Sequence, residues 1–243
     1  MAEIISGRNS VLEALRSERE INRVWFADHL EQGFGQQIMA LCKERGIPFS
    51  KVDKLQLQKI GGDDNRGVVA EVASAAYVEV EDILALAAHK NEPPLVVILD
   101  EVEDPHNLGA IIRTALCAGA HGIVIPKRRS ASLNQTVAKI SAGAVEHLPV
   151  ARVSNLCNAV DCLKKQGLWI VGADMDGQTL WDLDLSGPLA LVMGSEGQGI
   201  SKLLKSKCDF IASIPMSGPI NSLNVSASAA VLLYEIKRSR QMR

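Results

Sequence analysis

Residues 95–113 read Leu95-Val96-Val97-Ile98-Leu99-Asp100-Glu101-Val102-Glu103-Asp104-Pro105-His106-Asn107-Leu108-Gly109-Ala110-Ile111-Ile112-Arg113. Five apolar residues in a row, with no polar alternation, predict a strand buried on both faces. Asp104 followed by Pro105 then reads as a helix N-cap with proline at the first helical position. A strand of this kind feeding a helix through a short polar loop is the repeating unit of a parallel sheet covered by helices. In such sheets ligands bind beyond the carboxyl ends of the strands, so the loop 100–107 is the first place to look for chemistry.

Working outward, short apolar runs recur at 122–125, 148–153, 168–171, 189–193 and 210–214, with helical stretches between most of them. Residues 94–243 therefore read as an α/β domain, a parallel sheet flanked by helices. Upstream, residues 73–93 are acidic and alanine-rich and close on Asn91, Glu92, Pro93 and Pro94, which reads as a linker holding a short helix over 80–90. Residues 1–72 form a smaller α/β domain. Ser10 with Glu13 reads as a capping box, 21–27 as a strand, 36–45 as a helix stopped by Gly46, 48–52 as a strand, 53–60 as a helix capped by Asp53, and 67–74 as a closing strand.

The whole-chain composition excludes several classes. In 243 residues the formal charge is −2, with 47% hydrophobic and 22% charged side chains, so neither a disordered chain nor a polycationic nucleic-acid binder fits. The five cysteines, Cys42, Cys117, Cys157, Cys162 and Cys208, are odd in number and show no C-x-x-C pair, which argues against a disulfide framework and against a structural metal. The expectation is a cytoplasmic protein in a reducing compartment. Aromatic residues make up 4%, which argues against recognition by stacked bases.

Two more strand ends carry unusual sequence. After 189–193 comes Gly194-Ser195-Glu196-Gly197-Gln198-Gly199-Ile200-Ser201, whose glycine order matches neither a dinucleotide fingerprint nor a Walker A loop. After 210–214 comes Pro215-Met216-Ser217-Gly218-Pro219-Ile220-Asn221-Ser222-Leu223-Asn224-Val225-Ser226, with a helix expected to begin near Ser222. Each loop alone is explained by a tight turn or by close packing; three polar loops at three strand ends of one sheet indicate a site. Arg113 is notable because a guanidinium is costly to bury on an apolar helix without a partner, and its plain reading is a solvated arginine. His106 borders the first loop, and a lone histidine is ordinarily structural. The basic runs Lys127-Arg128-Arg129 and Lys237-Arg238, extended by Arg240 and Arg243, read as solvated ends or as phosphate contacts.

Taken together, Asp104-Pro105-His106-Asn107-Leu108-Gly109 with Arg113-Thr114-Ala115, Met193-Gly194-Ser195-Glu196-Gly197-Gln198-Gly199-Ile200, and Ile214-Pro215-Met216 with Ser222-Leu223-Asn224-Val225-Ser226 resemble the three motifs of the SpoU/TrmH ribose 2′-O-methyltransferases of the SPOUT superfamily. The opening Ile5-Ser6-Gly7-Arg8-Asn9-Ser10-Val11-Leu12-Glu13-Ala14 resembles the small L30-like substrate-binding domain that precedes some members. The resemblance implies a C-terminal trefoil knot, a homodimer with each active site near the dimer interface, and S-adenosylmethionine as methyl donor. The acceptor it implies is a guanosine ribose in 23S ribosomal RNA, free or in a ribosome assembly intermediate; relatives that modify tRNA share the motifs.

By the same resemblance, Gly194, Ile214 and Leu223 match positions whose backbone holds the cofactor, while Gly199, Met216, Ser222 and Asn224 line its pocket. Arg113 matches the family's catalytic arginine. A guanidinium resists deprotonation, so a charge role is preferred, with Asn107, Glu196 and Asn224 orienting it and the ribose. Two other readings compete: a silent RNA-binding relative, which leaves the intact polar set unexplained, and a flavodoxin-like nucleotide enzyme, which leaves the 222–226 motif unexplained.

Overall fold

The computed structural model describes residues 4–17, 19–27, 30, 32–219 and 221–242. The chain forms two compact units, Met1–Ala76 together with Ser132–Ala138, and Tyr77–Ala131 together with Lys139–Arg243.

The first unit contains β1 (Ile4–Ser6), α1 (Arg8–Arg16), β2 (Ile21–Ala27), α2 (Gln32–Glu44), β3 (Phe49–Val52), α3 (Lys54–Gly61) and β4 (Val68–Val72). Its sheet runs β1-β4-β2-β3, with β2 parallel to β3 and the other pairs antiparallel. Val11, Leu15, Val24, Phe26, Ile38 and Val68 fill its main core. Asp53 caps α3 as expected, accepting from the Gln56 N–H at 2.8 Å. The expected capping box at Ser10 does not form: α1 begins two residues earlier, after Gly7 at φ 96°, with no side-chain cap. A glycine at that angle starts the helix directly, because it carries no Cβ to strain.

Two boundaries differ from the sequence reading. The first unit extends to Ala76 and also takes in 132–138. There the Leu133 carbonyl accepts from Ser74 N at 2.7 Å and from the buried Asn22 Nδ2 at 3.0 Å, and Ser132 Oγ donates to Glu71 at 3.0 Å. Composition gives no hint of such an excursion, because it rests on a few hydrogen bonds to partners distant in sequence. Within the stretch read as a linker, α4 (Val80–Lys90) buries Val80, Ile83 and Ala87 in the second unit.

The second unit carries β5 (Leu95–Leu99), α5 (Pro105–Ala118), β6 (Gly122–Pro126), α6 (Gln135–Ile140, of which the residues before Lys139 group with the first unit), β7 (Val150–Val153), α7 (Leu156–Lys165), β8 (Trp169–Thr179), β9 (Leu189–Met193), α8 (Lys202–Lys205), β10 (Phe210–Ser213) and α9 (Val225–Gln241). All six strands are parallel, in the order β10-β8-β9-β5-β6-β7. Every residue of β5 and β9 is buried, as their unbroken apolar runs require. Val96 and Ile98 face α4 and α7 on one side. Leu95, Val97 and Leu99 point to the other, where α5 packs on β6 and against α9. No helix among the described residues is long and apolar enough to cross a membrane.

The C-terminal basic run serves the fold rather than the solvent. Arg240 donates to the carbonyls of Pro93, Pro94 and Gly187 at 2.8–2.9 Å, and Lys237 donates to the Cys117 carbonyl near the end of α5 at 2.9 Å. Arg243 lies outside the described residues.

His121, between α5 and β6, is fully buried. Its Nδ1 accepts from Leu95 N at 3.0 Å, which puts the ring proton on Nε2, facing Glu92 Oε2 at 3.0 Å. Burial lowers its pKa below the ordinary value, and the hydrogen bond to Glu92 only partly opposes this. The unfolded chain therefore takes up this proton first, so the stabilisation is complete above about pH 6.5 and is lost as pH falls below it, by at most about 1.4 kcal/mol per pH unit. Thermal melting of wild type is expected to fall more steeply between pH 7.5 and 5.5 than that of His121→Asn; equal slopes would remove His121 from the account.

Candidate active site

Asp104 caps α5 through the His106 N–H at 2.9 Å, with Pro105 at its start, and this sends Asn107 inward from the first turn. Asn224 caps α9, its Oδ1 accepting from Ser226 N at 2.9 Å. The helix expected near Ser222 thus begins at Val225, with Asn224 as its cap. Using Oδ1 for the cap turns the Asn224 amide nitrogen outward. That nitrogen donates to Glu196 Oε1 at 2.6 Å and to Asn107 Oδ1 at 3.0 Å, and Asn107 Nδ2 donates to the same Glu196 oxygen at 3.1 Å. Three side chains from three strand-end loops close into one polar set.

Glu196 sits on a turn pinned at its base. Ser195 N donates to the Gly199 carbonyl at 3.1 Å and Gly199 N to the Ser195 carbonyl at 3.0 Å. A Cβ on Gly194 would lie 2.0 Å from the Gly199 carbonyl carbon, so only glycine permits this closure. Asp100, buried at the end of β5, ties the two loops by accepting from Ser201 N at 2.8 Å. Ser201 itself makes no side-chain cap for the helix that follows.

A cleft of about 600 Å³ opens at the carboxyl ends of β8, β9 and β10. Its lining includes Gly194, Glu196, Gly199, Ile214, Met216, Ser222, Leu223 and Asn224, so every cofactor-binding residue read from the sequence is brought together. A smaller pocket of about 280 Å³, lined by Glu101, Val102, Glu103, Asp104, Asn107, Ser195, Glu196 and Val225, shares Ser195, Glu196 and Val225 with the cleft. The polar set stands where the two meet. Arg113 is not part of it. That residue is exposed and lines neither pocket, because six helical residues carry it about 240° round α5 from Asn107 and about 9 Å along. His106 is likewise exposed and lines neither.

Sequence reading missed Asp174. The register of β8 against β10 jumps from Gly172↔Ile211 to Gln178↔Ala212, so residues 173–177 leave the ladder and carry Asp174 into the cleft wall. The flanking glycines, Gly172 and Gly177, were the available signal. Lys205 lies 2.8 Å from Asp174 and 2.7 Å from Asp176. Asp174 is held below the usual carboxylate range: burial acts to raise it, but the combined hydrogen bonds from Lys205, Met175 and Asp176 outweigh that. The half-buried Cys208 thiol and the buried Cys42 thiol are pushed up to about 11, chiefly by burial, which leaves them as thiols.

The cleft suits S-adenosylmethionine in size and in lining: an apolar wall of Ile214, Met216 and Leu223 faces the tight main-chain turn from Gly194 to Gly199. Met216 and Leu223 are 38% and 42% exposed, apolar surface that a ligand would cover.

Comparison with known proteins agrees with this arrangement. The family model described as SpoU rRNA Methylase matches residues 94–234, and the one described as RNA 2′-O ribose methyltransferase substrate binding matches residues 4–78. A Bacillus subtilis protein named as a TrmH family tRNA/rRNA methyltransferase, YacO, is 46% identical over 98% of this chain and 96% of its own length. Among solved structures, the SpoU methyltransferase AviRb of Streptomyces viridochromogenes with its cofactor AdoMet is similar over 99% of this chain and 91% of its own, at 25% identity and a TM-score of 0.64. An AdoMet-bound rRNA methyltransferase from Sinorhizobium meliloti is similar over 97% and 86%, at 28% identity and a TM-score of 0.62.

Proposed function

The chain belongs to the SpoU rRNA methylase family and is an S-adenosylmethionine-dependent RNA 2′-O-methyltransferase, and from that premise we propose that its acceptor is the ribose 2′-hydroxyl of a guanosine in 23S ribosomal RNA. The observation that carries this reading is the Asn107–Glu196–Asn224 set, standing between a cleft that suits the methyl donor and a smaller pocket that suits a ribose. The ribosomal target is supported by the first unit. The S. meliloti rRNA methyltransferase is similar over 97% of this chain, first unit included. That unit also has a cleft of about 580 Å³ bordered by Arg8, Lys54 and Arg66, suited to an RNA backbone. In this proposal residues 1–72 bind RNA and residues 94–243 hold the donor, and the enzyme acts in the cytoplasm on rRNA or an assembly intermediate.

The donor supplies a methyl group already activated on a sulfonium, so alignment is the main demand on the protein. The main chain from Gly194 to Gly199, with Ile214, Ser222 and Leu223, fixes one end of the reaction line. Asn107, Glu196 and Asn224 hold the acceptor end, their orientation set by the caps of α5 and α9. A ribose hydroxyl is a poor nucleophile until its proton is drawn away, so the developing charge on its oxygen needs support. Arg113 provides it, as a permanent cation that grips the adjacent phosphate or the oxygen itself.

Because Arg113 is exposed and outside both pockets of a single chain, the proposal includes a homodimer in which the α5 surface is brought to a site. The trefoil knot belongs to the same proposal.

Mapping ribose methylation across ribosomal RNA and tRNA, in cells with and without this protein, tests the acceptor. Loss of one guanosine methylation in 23S rRNA is expected. Loss confined to tRNA would move the target and leave the chemistry standing.

A further inference from the structure

The basic run Lys127-Arg128-Arg129 follows β6 at the carboxyl edge of the sheet, the edge that carries the site. Arg128 and Arg129 are exposed. Arg129 Nη1 donates to Glu101 Oε1 at 2.9 Å, and Glu101 lines the smaller pocket. A second tie runs beside it, Ala131 N to the Val102 carbonyl at 2.8 Å. Arg152, at the carboxyl end of β7, donates to the Lys127 carbonyl and adds another cation to the edge.

Both partners of the ion pair are strained. Glu101 stands at φ 57° and Arg129 at φ 53°, left-handed backbone that non-glycine residues seldom adopt. Their side chains remain 36% and 74% exposed. An exposed ion pair returns less than two such residues cost, so the pair does not by itself explain the conformation. A strained, polar, solvent-open pair on the rim of a reaction pocket suits a contact exchanged when substrate arrives.

The rim needs such a contact. Glu101, Glu103 and Asp104 all line the smaller pocket and repel a polyanion, and Glu103 also faces Arg129. An RNA strand that places a ribose there brings a phosphate on either side of it. We propose that the turn Lys127-Arg128-Arg129 is a phosphate clamp for that strand, in which Arg129 leaves Glu101 for a phosphate flanking the methylated ribose and Arg128 holds the next one. The inference rests on the RNA methyltransferase reading above and adds a binding site outside the three sequence motifs.

The test uses the full-length protein, with unmodified 23S rRNA made by in vitro transcription and a pool of unmodified tRNA transcripts as probes. Arg129→Gly suits the test because glycine accepts the left-handed backbone, so the side chain and its guanidinium are removed without added strain. In this variant and in Arg128→Ala, KM for the methylated transcript is expected to rise about tenfold while kcat and S-adenosylmethionine affinity stay near wild type. The dependence of log RNA affinity on log salt is expected to flatten by about 0.7–0.9 for each lost phosphate contact. Glu101→Gln is expected to lower KM, since it frees Arg129. Wild-type KM and salt dependence in both arginine variants would overturn the clamp while leaving the enzyme's function intact. No methylation by wild type of either transcript, nor of ribosomal particles from cells lacking the protein, would overturn the functional reading, and the clamp with it.

Discussion

Arg113→Ala is expected to lower the rate of methyl transfer by roughly 10² or more, the scale for losing a preorganised electrostatic contact, while S-adenosylmethionine affinity stays nearly unchanged. The separation follows from placement: the cofactor cleft is built from the bulged stretch of β8, the loops after β9 and β10 and the start of α9, and Arg113 lines no part of it. An exposed arginine with only a solvating role would give wild-type turnover. Arg113→Lys distinguishes what the guanidinium does. It keeps the charge and loses the planar fork, so partial rescue indicates charge stabilisation and no rescue indicates bidentate grip. Single-turnover methylation of a 23S rRNA transcript, measured beside cofactor binding, reads both quantities, and a wild-type rate in Arg113→Ala would remove this residue from the mechanism.

Gly194→Ala is expected to abolish cofactor binding, with affinity down by about 10² or more, because this turn shapes the cleft wall. The new methyl group would lie 2.0 Å from the Gly199 carbonyl carbon, 2.3 Å from its oxygen and 2.3 Å from Ile200 N. All three are main chain, so no side chain can swing away, and the turn must open. Stability should fall by about 1–3 kcal/mol, the usual cost of overpacking. Gly197→Ala is the matched control. It lies on the same turn at φ 89°, but its Cβ would meet nothing within 4 Å, so it carries backbone strain without collision. Equilibrium dialysis with S-adenosylmethionine, run with thermal melting, should rank Gly194→Ala far below Gly197→Ala. Equal affinities would show that the closed turn is not needed for binding.

Much of this protein was legible from local pattern. The runs at 95–99 and 189–193 are apolar throughout, and only a strand covered on both faces buries every residue, so the parallel sheet followed from composition and spacing. Asp104-Pro105 and Asp53 marked helix starts because capping is chemistry between near neighbours in the chain. The residues of the cofactor cleft were legible for a different reason: the 193–200 and 214–226 motifs resemble those of the family, while the ends of parallel strands by themselves marked only the region.

Tertiary structure decided what depends on distant pairing. Ser132–Ala138 joins the first unit through a main-chain bond from Ser74 and a side-chain bond from Asn22, partners far away in sequence that leave no periodic trace. Asp174 enters the cleft only because β8 slips register against β10, and register is a property of two strands together. The bonds among Asn107, Glu196 and Asn224 join three segments far apart in the chain, and they form only when the starts of α5 and α9 and the turn after β9 are brought together. Arg113 shows the same division. The sequence identified it by type and position in a motif, while the folded helix turned it away from the pocket it was expected to serve, because 100° per residue is a constraint that residue identity does not override.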